Sequence, residues 1–402
     1  MKNHIFLCTI FMLTTFFHCS TQAPEKITWN HISSENGDLE VPNNGAQQTA
    51  SAVFDVDKDG VNDFVITERS EAPAVVWYRY TENGRDRYIV DQDKLRIEAG
   101  SAMTDIDGDG DIDVVFGGDA GSNQVWWWEN PYPDYDPDTP WTRHLIKNSG
   151  ANKHHDQLFG DFDGDDQDEL VFWNQGAHTL FFAEIPDKPR ETGPWELVGI
   201  YSYETDGEPE QLGSYPSWKG TNEHEGLAKA DIDQDGKTDI VGAGRWFKHI
   251  KGSSFKVHVI DENYAFSRSA AGDFISGGRP EVFLVVGDGR APLMFYEWQD
   301  GMWNSRTVID TVQDGHSIAV LDFNSDGHLD LFNAEMRLGQ NPDAATRILL
   351  GDGTGQFKDY VVHTGFGLHE SQIADLDGDG DFDILGKPYN WDAPRLDIWL
   401  QE

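Results

Sequence analysis

Apolar residues along this chain come in short runs, interrupted by turns rich in glycine and aspartate. The runs recur in one order. An aromatic-bearing run such as WTRHLI (Trp141 to Ile146) or FKVHVI (Phe255 to Ile260) is followed by a loop and a short segment leading into an acidic phrase. Beyond the phrase lie an apolar run, such as DVVFGG or DIVGAG, and then a run carrying Trp or Phe, such as VWWWEN or LFFAEI. Runs of this length bounded by turn residues predict β-strands, here four to a unit.

The acidic phrase returns seven times. It reads DVDKDGVND from Asp55, DIDGDGDID from Asp105, DFDGDDQDE from Asp161 and DIDQDGKTD from Asp231. It continues as DFISGGRPE from Asp273, DFNSDGHLD from Asp322 and DLDGDGDFD from Asp375. Seven units of this size predict an all-β, seven-bladed β-propeller spanning residues 27–402. The chain finishes on RLDIWLQE (Arg395 to Glu402), a third strand with no fourth, and ITWNHIS (Ile27 to Ser33) is an outer strand without a blade. Pairing the two would close the ring and remove exposed sheet edges.

Composition narrows the picture. Hydrophobic residues make up 38% of the 402 residues and include 14 Trp, enough for a large core. The formal charge of −41 has the wrong sign for a nucleic-acid binder, so that partner is excluded from the expectations. Residues 1–26 read as an export signal, with Lys2 ahead of a mostly apolar stretch from Ile5 to Phe17. Cys19 follows that stretch at the place where a bacterial lipoprotein signal puts its lipidated cysteine, although Phe17 and His18 are not the usual small residues before it. A periplasmic, cell-surface or secreted monomer is expected, in contact with membrane only through that anchor. The other cysteine, Cys8, lies within the signal, so no disulfide framework is expected.

Alternating carboxylates around a glycine turn suit Ca²⁺, a hard cation that takes oxygen ligands. The expected ligands are Asp55, Asp57, Asp59 and Asp63; Asp105, Asp107, Asp109 and Asp113; and Asp161, Asp163, Asp165 and Glu169. They continue with Asp231, Asp233, Asp235 and Asp239; Asp322, Asn324, Asp326 and Asp330; and Asp375, Asp377, Asp379 and Asp383. The Asp273 copy lacks carboxylates at its third and fifth positions, so five or six structural calcium ions are expected. On these phrases the chain resembles the FG-GAP or VCBS-repeat propellers. That resemblance implies the fold and calcium binding, but spans adhesion heads, lectin-like modules, lyases and dehydratases.

The phrase joins strand 1 to strand 2 of each blade, which puts calcium on one face of the disc. The loops entering strand 1, and those joining strands 2 and 3, lie on the other face around the mouth of the central channel. Six residues before each first Asp stand Thr49, Ala99, His155, Glu225, Ser267, His316 and His369, with His224 beside Glu225. With only 14 His in the chain, their recurrence in one register predicts a convergent site. The strand 2–3 loops add Arg69, Trp173, Asn174, Arg245, Trp246, Arg337, Lys387, Tyr389, Asn390 and Trp391. His31, His144 and His258 recur in outer strands and read as structural.

Aromatic planes beside hydrogen-bonding groups suit a sugar. Trp173, Asn174, Glu225, Trp246, Lys387, Asn390 and Trp391 are the expected substrate contacts. Histidine bases, a cation such as Arg245 or Arg337 to hold an acidic group, and Tyr389 as acid suit proton abstraction next to a carbonyl or carboxylate. His155, His224, His316 and His369 could instead gather Zn²⁺ or another divalent metal. The phrases HHDQLFGDFDGDDQDE and HEGLAKADIDQDG…GAGRWFKH are similar to the propellers of aldos-2-ulose dehydratases and, in style, to L-rhamnose-glucuronate lyases. That resemblance implies eliminative chemistry on sugars and carries over onto His155, His224 and Arg245. The expected function is a lyase or dehydratase acting on a sugar or polysaccharide, and the alternative is a non-catalytic, calcium-stabilised glycan-binding or adhesion propeller.

Overall fold

The structure, a computed structural model, describes residues 27–204, 223–338 and 341–402; the export signal and Cys19 lie outside the described residues. Seven four-stranded antiparallel sheets follow one another along the chain, each strand pairing with the next. Blade 1 is Gln48–Phe54, Asp63–Glu68, Val75–Thr81 and Gly84–Asp91. In blade 7, Gln372–Ala374, Asp383–Gly386 and Asp397–Gln401 are joined by Trp29–Ser33, with Trp29 opposite Gln401 and Ser33 opposite Asp397.

The core is not central. Seven apolar clusters each combine residues from two successive blades, so burial works through seams. Val65, Val75 and Trp77 of blade 1 meet Val114, Phe116 and Trp128 of blade 2. The last seam sets Phe64, Ile66 and Tyr78 against Leu376, Leu385 and Ile398 of blade 7. Both faces of a blade are therefore covered, which explains why its middle strands are continuous apolar runs, as in Glu281–Val286, rather than alternating ones. Outer-strand histidines lie flat on tryptophans of strand 3: His144 on Trp127, His258 on Trp246, and His31 on Trp399.

Each acidic phrase is a tight loop held by its own carboxylates. The first Asp accepts from the backbone N–H of the fifth and sixth residues, as Asp55 does from Asp59 and Gly60 at 3.1 and 3.0 Å. The ninth residue accepts from the N–H of the second, as Asp113 does from Ile106 at 3.0 Å and Glu169 from Phe162 at 2.8 Å. The second residue of these loops is thereby held in the seam, where Phe162, Ile232 and Leu376 are fully buried; the Asp55 loop lacks this bond. The Asp273 copy keeps this bond, Glu281 accepting from Phe274 at 2.9 Å, although it has lost the carboxylates between. The ninth position thus has a folding role independent of any ion. The sixth residue has a left-handed backbone, which is why glycine recurs there; Asp166 adopts it at φ 68°.

Candidate functional site

At the opposite end of the first strands, six residues upstream of the Asp phrases, the side chains meet in a well of about 270 Å³. All seven blades contribute to its wall, from Arg69 in blade 1 to His369 and Tyr389 in blade 7. Five of the expected site residues come together here: His155, Glu225, His316, His369 and Tyr389. His155 Nε2 lies 3.3 Å from Glu225 Oε2. The rings of His155 and His316 have centroids 5.5 Å apart, and those of His316 and His369 stack at 4.5 Å. Tyr389 follows at 4.9 Å from His369, with the Arg69 guanidinium over its other face.

Three residues that the count of six does not reach hold this cluster. His155 Nδ1 lies 2.9 Å from Asp156 Oδ2, and His316 Nδ1 lies 3.1 Å from Glu370 Oε1. Arg268 bridges the two carboxylates, Nη1 to Asp156 Oδ1 at 2.5 Å and Nη2 to Glu370 Oε1 at 2.7 Å. Asp156, Arg268 and Glu370 stand five residues before their Asp phrases, one beyond the register that locates the histidines. Alternation along a strand should turn such neighbours apart. A left-handed kink prevents this, with φ 51° at Asp156 and 50° at Glu370. Two other blades fill the same position with glycine, Gly100 at φ 93° and Gly226 at φ 79°. In these two blades a carboxylate residue stands where the backbone favours glycine.

The surroundings push the histidines in opposite directions. Burial opposes protonation of His155, but Asp156 and Glu225 outweigh it and raise its pKa to about 9. Burial, the neighbouring His316 and Lys387 hold His369 well below the ordinary value, so its imidazole is neutral. Burial would raise Glu370, yet Arg268 and His316 bring it down to about 2. Burial raises Glu225.

The other expected site residues lie elsewhere. His224 sits in the seam between blades 3 and 4, stacked 3.6 Å from Tyr203 and edge-on to Trp173 at 5.5 Å; burial and then Arg245 depress it to about 3. Being next to Glu225 on an extended segment, it faces away from the well. Trp173 and Trp246 belong to seams and are 0% and 3% exposed, so neither offers a stacking platform. Arg245 donates to the Ala243 carbonyl at 2.8 Å, and Asn174 accepts from Ala177 N–H at 2.8 Å as a buried turn residue. Arg337 pairs with Asp392 at 2.9 Å, Trp391 donates to the Gly367 carbonyl at 3.0 Å, and Asn390 is exposed.

Lys387 is fully buried, and its Nζ donates to the carbonyls of Thr49 and His369, both at 2.9 Å. It ties blade 7 to blade 1 rather than meeting a ligand. Lys387→Met is expected to cost about 2 kcal/mol or more by orphaning buried carbonyls, read from the urea midpoint.

The donor set fits a divalent metal. Ligand atoms of His155, Glu225 and His316 lie within 4.8 Å of one another, as do those of His316, His369 and Glu370. Glu225 Oε1 and His369 Nδ1 have no hydrogen-bond partner in the structure. A Cβ built on Gly287 would overlap Glu225 Oε1, so glycine makes room for this carboxylate. Gly287→Ala is expected to displace Glu225 and abolish ligand or metal binding at an overpacking cost of roughly 1–3 kcal/mol, the fold persisting by circular dichroism.

No protein-family model and no curated protein matches the chain. Among solved structures it is similar to BBS1N in complex with ARL6DN, at 9% identity and a TM-score of 0.50, covering 89% of this chain and 93% of that one. It is also similar to AofleA from Arthrobotrys oligospora, at 11% identity, TM-score 0.44, and 86% and 93% coverage. The NanB sialidase of Streptococcus pneumoniae aligns at 9% identity, TM-score 0.43, and 90% and 69% coverage. At these identities the likeness extends to the architecture alone, and the chain is a seven-bladed β-propeller.

Proposed function

We propose that this protein is an exported, carbohydrate-active propeller of the FG-GAP or VCBS-repeat kind, whose central well carries out β-elimination on a sugar. The observation that carries the reading is the pairing, in one well, of a histidine held protonated with one held neutral. Environments that drive two titratable groups apart separate an acid from a base. Neutral His369 takes the proton from the carbon next to a carbonyl or carboxylate. Protonated His155, steadied by Asp156, gives its proton to the departing oxygen. The C–H electron pair becomes the new C=C bond as the C–O bond breaks. Tyr389, packed against His369, fixes that ring's orientation. A divalent metal such as Zn²⁺ held by His155, Glu225 and His316 would displace the His155 proton and would supply a Lewis acid for the departing oxygen in that proton's place.

The Asp loops on the other face are read as structural calcium sites. Their oxygen-only donor sets converge, those of Asp161, Asp163, Asp165 and Glu169 lying within 4.8 Å of one another. Glu169 Oε1 and Asp163 Oδ1 are buried without a hydrogen-bond partner, as expected of groups awaiting a cation.

Incubation with a panel of keto-sugars and uronic-acid polysaccharides should yield, from at least one member, unsaturated products absorbing in the ultraviolet. His369→Ala and His155→Ala should each lower the rate at least ~100-fold, the scale of general acid–base catalysis. Binding across a glycan panel with no turnover would replace this reading with that of a non-catalytic glycan-binding propeller.

A further inference from the structure

The charge inventory of the well restricts what can enter it. Its lining holds two cations, Arg69 and Lys153, against four carboxylates, Glu98, Glu223, Glu225 and Asp288. Each cation is already engaged. Arg69 is ion-paired to Glu98 and lies 3.8 Å from Asp119. Lys153 is ion-paired to Glu223. Behind the lining, Arg268 is shared between Asp156 and Glu370. Among the described residues no cation of the well is left over, and Glu225 and Asp288 make no ion pair with Arg or Lys; histidine offsets each most, with a weaker pull from Arg268 on Glu225 and from Lys153 on Asp288. The shape restricts the ligand further. A space of about 270 Å³ walled by all seven blades is a pit, not a cleft, and admits one ring end-on.

We infer that the well takes a single sugar ring that is uncharged or carries an amino group, and turns uronates away. A uronate carboxylate would enter a partly enclosed site among carboxylates that no free Arg or Lys offsets, where like charges repel more strongly than in water. A hydroxymethyl group suffers no such repulsion, and an ammonium is attracted to Glu225 and Asp288. This inference rests on the proposal that the well is a sugar site, and selects within the range of sugars that proposal allows.

The test uses sugars that differ only in charge: glucosamine, glucose and glucuronate, and galactosamine, galactose and galacturonate. Binding to the calcium-loaded protein is measured by titration calorimetry, with and without added Zn²⁺. Within any set that binds, the uncharged and amino members should bind at least about tenfold more tightly than the uronate, a gap of about 1.4 kcal/mol. Glu98→Gln and Glu223→Gln release Arg69 and Lys153, respectively. Each should raise uronate affinity several-fold relative to that of glucose or galactose measured on the same variant. A uronate that binds as well as its uncharged partner, or variants that leave uronate affinity unchanged, would overturn the inference and spare the sugar site. Failure of every sugar to bind would instead remove the sugar site and the inference with it.

Discussion

Removing calcium with a chelator is expected to lower the unfolding temperature by about 10 °C or more, because a ligand at ~100 times its dissociation constant adds about 2.7 kcal/mol per site. Differential scanning calorimetry with and without EGTA measures it, and an unchanged transition would mean that the loops stand on their internal hydrogen bonds alone. The loss should be larger at pH 8 than at pH 5. Without calcium, burial raises Asp113 and Glu169 to about 8 and Asp239 and Asp383 to about 7. A carboxyl whose folded pKa is raised keeps its proton in the native state after the unfolded chain has lost it. Metal-free stability therefore declines as pH climbs from about 4 towards 8, and calcium bound as proposed would reverse that trend by taking up the ionised groups. The loops should not respond equally. Arg79 lies 2.5 Å from Asp57, Arg190 lies 2.7 and 2.6 Å from Asp107 and Asp109, and Lys248 lies 2.5 and 2.6 Å from Asp233 and Asp235. The Asp161 loop shows no such partner among the described residues, and Asp163→Asn should weaken calcium binding more than Asp57→Asn.

Arg268→Met should destabilise the protein by about 3–5 kcal/mol, the cost of removing one partner from a buried ionic group. Two carboxylates would be left facing each other on strained backbone. Urea unfolding measures the loss, and a change below ~1 kcal/mol would mean that Asp156 and Glu370 are neutralised by other means. The pH dependence separates this cluster from the calcium loops. Glu370, depressed to about 2, adds stability that is present above its unfolded value and lost as pH falls from about 4.5 to 2. His155, raised to about 9, adds stability that is complete below about 6.5 and lost as pH rises towards 9. Arg268→Met should flatten the acid limb, since Glu370 would no longer be held ionised by the guanidinium.

The repeat made the architecture legible before any coordinates. A carboxylate phrase that recurs at blade spacing gives the number of blades, the strand order and the face on which each loop must lie. Counting back from it located His155, Glu225, His316 and His369, because equivalent positions in a ring of blades point to one axis. The same count failed for His224, where alternation sends the neighbour of a channel residue into a seam. It passed over Asp156, Arg268 and Glu370, since two of these face the channel only through left-handed kinks that their residue types do not announce. Glycine at the equivalent positions, Gly100 and Gly226, was the available signal. Trp173, Trp246 and Lys387 look like ligand contacts in sequence because burial in a seam and exposure in a cleft select the same side chains. Only packing distinguishes them.

The sheet of blade 7 sets a condition on how the protein is made. Its outer strand, Trp29–Ser33, is the first described segment to leave the ribosome, and its partner, Asp397–Gln401, is the last. Six blades can assemble in order as they are synthesised, each on the one before. The first strand must wait, unpaired, until residues 397–401 have been made, and the cleft between blade 7 and blade 1 stays open for as long. Slow long-range closure of this kind leaves two sheet edges and one apolar seam exposed until the last step. Loss of residues 397–401 would make that open ring the permanent state.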